Sequence, residues 1–243
     1  MEFHVYETAK AACEAAGMLL GAQITRKGDS VLGLATGSTP IPAYETLVKW
    51  YNRGVIDFDR IVTFNLDEYV GIDHKNPLSY HAFMDEHLFS KVNVRPENVH
   101  LPSGHSAAAG AAYDAAIRAA GGIDIQLLGI GRNGHIGFNE PDDKFTYGTH
   151  VVTLTENTIQ ANARFFRSPD EVPRQAISMG IGNIMAAKCV VLVATGRDKA
   201  EAVYKTLCGP ITPQVPASIL QLHPCCVILA DHEAGELVER ERG

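Results

Sequence analysis

Leu127-Leu128-Gly129-Ile130-Gly131-Arg132-Asn133-Gly134-His135-Ile136-Gly137-Phe138-Asn139-Glu140-Pro141 is the stretch that decides the fold. The apolar run from Ile125 to Ile130 reads as a buried strand. It stops at closely spaced glycines interleaved with Asn133, His135 and Glu140, side chains that move or hold protons. Polar chemistry therefore sits where a strand runs out, which is the edge of an open α/β sheet where ligands bind.

Gly129 to Gly134 also matches the dinucleotide fingerprint G-x-G-x-x-G, and an acidic residue about 20 positions on is available in Glu156. That fingerprint requires a helix to open at once, so that its first amides receive a pyrophosphate. Gly137, Pro141 and Gly148 follow instead, and a helix reaching the next strand at His150 would contain the proline. The missing helix argues against a nucleotide site.

Working outward, other apolar runs end in the same way. Val31 to Ala35 is a short strand that stops at Thr36-Gly37-Ser38-Thr39-Pro40, and Pro40 or Pro42 begins a helix through about Trp50. Amides and hydroxyls converging on a helix N-terminus suit a phosphate, although such a turn is often only a cap. Ile61 to Phe64 leads into Asn65-Leu66-Asp67-Glu68-Tyr69, where extended backbone sends Asp67 and Glu68 to opposite faces and only one of them toward a ligand. Cys189 to Ala194 ends at Thr195-Gly196-Arg197-Asp198-Lys199.

Between these lie predicted helices over Thr8 to Lys27, Pro77 to Phe89, Ser106 to Ala120, Glu156 to Phe166 (carrying Arg164) and Ile184 to Ala187. Shorter extended pieces are expected at Asn98 to Pro102, His150 to Thr155 and Ala176 to Gly180, with a last strand from Cys226 to Ala230. The alternation predicts an α/β fold: a single domain with a largely parallel, doubly wound, Rossmann-like sheet and helices on both faces. In such a sheet the four polar junctions share one edge and line one crevice.

Composition sets limits. At 243 residues and 46% hydrophobic, the chain has enough apolar mass for a full core. A net charge of −7 with no lysine and arginine run argues against a nucleic-acid surface. No apolar segment is long enough for a bilayer span, and no targeting pattern opens the chain, so a cytoplasmic protein is expected. Five cysteines fit reduced thiols there. His223, Cys225, Cys226 and His232 lack any metal-ligand spacing, so no metal is expected.

Asn65 to Tyr69, Gly134 to Pro141, the Thr36 to Pro40 loop and Asn162-Ala163-Arg164-Phe165-Phe166 together resemble the glucosamine-6-phosphate deaminase family along nearly the whole chain. The resemblance implies conversion of glucosamine 6-phosphate and water to fructose 6-phosphate and ammonia, with no cofactor and no metal. It implies Asp67 as the base for enolisation, and His135, Asn133 and Glu140 as the ring-opening group. Phosphate is assigned to Gly37, Ser38 and Thr39, with Arg164 and Lys199 as cationic partners. The family often has aspartate where Asn133 stands. Allosteric hexameric members carry basic residues where this chain has His150-Val151-Val152-Thr153, and the run after Ala230 is short; a monomer or small homo-oligomer without allosteric activation is expected. Two other readings compete: a 6-phosphogluconolactonase-like hydrolase in which His135 activates water, and a non-catalytic sugar-phosphate sensor. Pro141 to Gly148, rich in charge and glycine, and Arg167 to Gln175, with its two prolines, are the two candidates for any lid over the crevice.

Overall fold

The computed structural model describes residues 1–154, 159 and 172–242, and every structural statement below concerns those residues. Its centre is a seven-stranded parallel sheet in the order β1-β10-β9-β6-β2-β3-β5, formed by β1 (Glu2–Tyr6), β2 (Val31–Leu34), β3 (Val62–Asn65), β5 (Val99–His100), β6 (Ile125–Gly129), β9 (Val190–Ala194) and β10 (Cys226–Asp231). Every residue of β2 and β9 is buried, as expected of strands covered on both faces.

From β2 the chain steps to β3 and β5 on one side, then returns to β6 on the other and continues to β9 and β10. The reversal falls between β2 and β6. In a doubly wound sheet the C-terminal strand ends at such a reversal are the usual ligand position. The polar junctions after β9, β6, β2 and β3 consequently lie on four neighbouring strands.

Helices α1 (Ala9–Arg26), α2 (Ile41–Asn52), α3 (Tyr80–His87), α4 (Ala107–Ala119), α5 (Ile181–Ala186), α6 (Ala200–Cys208) and α7 (His232–Arg242) complete this α/β architecture. Helix α1 starts where Thr8 Oγ1 accepts the Ala11 amide at 3.1 Å. It approaches α2 closely because Gly17 and Gly21 have no side chain there. A Cβ at Gly17 would lie 2.6 Å from the Ala43 carbonyl, and one at Gly21 the same distance from the Trp50 ring. Buried Asp124, just before β6, accepts from Lys27 and Lys188 at 2.6 Å each and from the Val31 amide at 2.8 Å, tying α1, β2 and the entry to β9 together. The two ammonium groups hold its carboxyl below the usual carboxylate range against the opposing effect of burial.

The largely parallel doubly wound sheet is as expected, and a second, smaller sheet is added to it. The pieces expected near His150 and Ala176 join Asp67 to Tyr69 in a separate three-stranded antiparallel sheet: β4 (Asp67–Tyr69), β8 (Gln175–Ser178) and β7 (His150–Thr153), in the order β4-β8-β7. Leu66 is the corner. Its amide still bonds the Leu34 carbonyl at 3.0 Å, while its own carbonyl accepts from Met179 at 2.7 Å and so turns the chain into the second sheet. A small apolar cluster of Tyr69, Phe138, Leu154, Ile159, Val172 and Ala176 lies apart from the main core. Strand β1 and helix α7 add to the elements that the sequence pattern predicts. Gln126, Thr63 and Asn65 place polar side chains inside the sheet.

Between β6 and β7 no helix forms, as the glycines and Pro141 require. Backbone bonds tie the Pro141 to Gly148 segment, one of the two lid candidates, to its surroundings. Asp142 donates to Pro213, Ile181 to Thr146, and Gly182 to Tyr147. The other lid candidate and the Glu156 to Phe166 helix fall largely outside the described residues. None of the described helices is long and apolar enough to cross a membrane.

Candidate active site

The loop after β6 folds back on itself. Gly131 donates to the His135 carbonyl at 2.9 Å and Gly134 to the Gly131 carbonyl at 3.0 Å. Gly134 takes φ 84°, and a side chain there would run into Val215. This turn presents three polar groups. Asn133 Nδ2 donates to Glu140 Oε2 at 2.6 Å, and its Oδ1 accepts the His135 amide at 3.2 Å. Glu140 Oε1 lies 3.3 Å from His135 Nδ1, although the ring is not turned to aim an N–H along that line, so no aligned hydrogen bond joins them. Such bonds often tighten only when substrate arrives.

Asparagine suits position 133 physically. Its amide donates to Glu140 while accepting from the backbone, whereas an ionised aspartate there would set two like charges against each other.

Asp67 and Glu68 separate as extended backbone demands. Glu68 turns away and accepts the amides of Tyr69, Tyr80 and His81 at 2.9 to 3.0 Å, capping α3. Asp67 points the other way, with 7% of its surface exposed and no hydrogen bond to its carboxylate from any described residue. Burial, and then the neighbouring Glu68 charge, push its pKa up to about 8.

Strand β8 joins Asp67 to the glycine loop. Ser178 pairs with Asp67 across the antiparallel ladder, and its Oγ accepts the Phe138 amide at 3.0 Å. Asn139 Nδ2 donates to the carbonyls of Ile136 and Met179 at 2.9 Å each. Gly137, at φ 57°, leaves the space between: a Cβ there would sit 3.1 Å from Ser178 Oγ and 3.8 Å from Asp67 Oδ2. Asp67 thus lies against the loop that carries His135. Neither Ser178 nor Asn139 was assigned a part from sequence; a lone serine in an apolar run carries no signal.

At the end of β2, Gly37 takes φ 97°. The amides of Gly37, Ser38 and Thr39 donate to no described residue, and Pro40 caps a 12-residue helix. Free donors at a helix N-terminus make an anion site. Arg132 of the glycine loop pairs with Asp198 at 2.7 Å, bringing the junctions after β6 and β9 together. Lys199 lies 3.6 Å from the same carboxylate. Arg164 lies outside the described residues.

A family profile described as glucosamine-6-phosphate isomerases/6-phosphogluconolactonase matches residues 5–228. The chain belongs to this family. Among relatives of the family member, the glucosamine-6-phosphate deaminase of Clostridioides difficile (strain 630) is 54% identical over 222 residues, spanning 90% of this chain and 89% of that one. The deaminase of Lachnoclostridium phytofermentans is 56% identical over 219 residues, 87% of this chain and 93% of that one. A solved structure of a monomeric glucosamine-6-phosphate deaminase superposes with a TM-score of 0.93 at 43% identity, covering 98% of this chain and all of the other. The 6-phosphogluconolactonase of Trypanosoma brucei, at 18% identity and a TM-score of 0.73 over 98% of each chain, shares the fold.

Among the described residues no group of three or more histidine, cysteine, aspartate or glutamate side chains is placed to hold a metal.

Proposed function

We propose that this family member is a glucosamine-6-phosphate deaminase, converting glucosamine 6-phosphate and water to fructose 6-phosphate and ammonia in amino-sugar catabolism. The observation that carries this reading is the second proton-handling group. Hydrolysis of a lactone needs one base to activate water. Aldose–ketose isomerisation needs a base at C2 in addition to a shuttle that opens the ring, and Asp67 lies against the loop that holds His135.

His135 moves the proton from the anomeric hydroxyl to the ring oxygen, with Glu140 stabilising its protonated form and Asn133 orienting Glu140. Asp67 then takes the C2 proton, gives an enolamine, and returns the proton at C1. The resulting imine takes up water at C2 and releases ammonia. A carboxylate with its pKa pushed up to about 8 is, once ionised, a stronger base for that step than an ordinary aspartate. The amides of Gly37, Ser38 and Thr39 hold the phosphate, with Lys199 and Arg164 supplying positive charge. The substrate's own ammonium withdraws electrons from C2, so this chemistry draws on no cofactor.

The sensor reading has less support, because a binding module needs neither a buried base nor an imidazole network. We read the chain as one domain, cytoplasmic, and a monomer or small oligomer without allosteric activation; the solved relative described as monomeric supports the small assembly. The test is a paired assay. Ammonia released in step with fructose 6-phosphate is expected, and lactone hydrolysis without ammonia release overturns the proposal.

A further inference from the structure

Two cysteines meet at the edge of the sheet opposite the crevice. Cys189 immediately precedes β9 and Cys225 immediately precedes β10, and because Cys226 pairs with Val190 in the parallel ladder, Cys225 stands level with Cys189. Neighbouring strands lie about 4.8 Å apart, within the Cα separations that a disulfide spans. The two Sγ atoms are already 3.0 Å apart.

The backbone on both sides is held. Buried His223 donates from Nε2 to the Ala187 carbonyl at 2.9 Å, and its Nδ1 accepts the Cys225 amide at 3.1 Å; one ring tautomer satisfies both. The Val190 amide bonds the Cys225 carbonyl at 2.8 Å, and the Cys189 amide bonds the Asp124 carbonyl at 3.2 Å. Cys225 is exposed and Cys189 half-buried, so a reagent in solution reaches the pair. Cys226, next in the chain, is buried, consistent with the alternation of side chains along extended backbone.

We infer that Cys189 and Cys225 form a reversible intrachain disulfide when the protein meets a low-molecular-weight disulfide. The Cys225 thiolate attacks one sulfur of the oxidant and expels a thiolate. Cys189, whose thiol is pushed up to about 12 by burial and by the adjacent Cys225 sulfur, rests protonated. It gives its proton to the released thiolate, attacks the Cys225 sulfur of the mixed disulfide, and expels the second thiolate, which takes the Cys225 proton from solvent. Two protein thiols are oxidised and one small disulfide is reduced to two thiols.

The bond closes the run from Cys189 to Cys225, which carries Lys199 and also Ala217, whose amide holds the Gly134 carbonyl at 2.8 Å. It therefore staples the segment that backs the glycine loop without entering the crevice. A cross-link that closes a loop restricts the unfolded chain, so oxidation is expected to raise the unfolding temperature.

The test oxidises the full chain with glutathione disulfide, alkylates remaining thiols, and maps the peptides. The expected product links Cys189 to Cys225, is two hydrogens lighter than the dithiol, reverts with dithiothreitol, forms equally in Cys226→Ser, and melts a few degrees higher. Cys225→Ser, altered at the exposed position, should show neither the link nor the rise. A persistent glutathione adduct on Cys225 with Cys189 still alkylated overturns the inference. So does a link through Cys226 or between two chains.

Discussion

His135 Nδ1 lies 3.3 Å from Glu140 Oε1, while the other oxygen of the same carboxylate takes a 2.6 Å hydrogen bond from Asn133. Glu140 is therefore held by one neighbour and faces the imidazole with the other oxygen. This sets the first prediction. Glu140→Gln keeps the shape but removes the charge that stabilises an imidazolium, so kcat should fall by about 10²- to 10⁴-fold, the usual contribution of an acid–base group. KM should change far less. Steady-state ammonia release measures both, and an unchanged kcat would place ring opening on other groups.

Asp67 supplies the second, through pH. With its pKa pushed up to about 8, the base is ionised only in alkaline solution, so kcat/KM for the parent should climb with pH and level off above that value. Asp67→Asn should abolish isomerisation. The stability effect has a definite sign. In the unfolded chain the carboxyl ionises near pH 4, while in the folded protein it stays protonated up to about 8. Folding is therefore penalised increasingly across that window, at about 1.4 kcal/mol per pH unit, and by a constant amount above it. Asp67→Asn removes the penalty. Its unfolding temperature relative to the parent should rise from pH 4 to pH 8, and a difference flat in pH would show that the carboxyl is ionised throughout.

Much of this site was readable before the fold was known. Continuous apolar runs such as Val190 to Ala194 read as strands buried on both faces, and Gly137, Pro141 and Gly148 together argue against a helix after the glycine loop. Opposite roles for Asp67 and Glu68 follow from extended geometry. What escaped is long-range. Strands of three or four residues, such as β4 and β8, carry too little periodicity to declare their partners, and nothing local in Gln175 to Ser178 points to Asp67. The corner at Leu66 is visible only once the Met179 amide is seen on its carbonyl. Strand β1, half-exposed at the sheet edge, lacks the continuous apolar run of the centre.

Gly131 tests how the imidazole is placed. An added methyl would lie 2.2 Å from His135 Cε1 and 2.3 Å from Nδ1, closer than any packing allows. The ring, about a quarter exposed, has room to swing outward, so Gly131→Ala should misplace His135 while the chain still folds. A displacement of about 1 Å costs on the order of 10²-fold in rate. Activity should fall by roughly that factor with a small change in unfolding temperature. Full activity would mean that the ring's position does not govern the rate.

Glu68 touches both stability and chemistry. Its two oxygens accept three amides, that of Tyr69 in β4 and those of Tyr80 and His81 at the start of α3, and it lies buried beside Asp67 on the same strand. Glu68→Gln turns one acceptor into a donor facing backbone N–H groups, leaving at least one amide unsatisfied, at a cost of about 1–3 kcal/mol. The same change removes the second cause of the raised Asp67 pKa. The rise of kcat/KM with pH should therefore shift to lower pH in the variant even as its unfolding temperature drops. A purely structural role for Glu68 would lower the unfolding temperature and leave the pH profile where it is, so the two measurements together separate the cap from the charge.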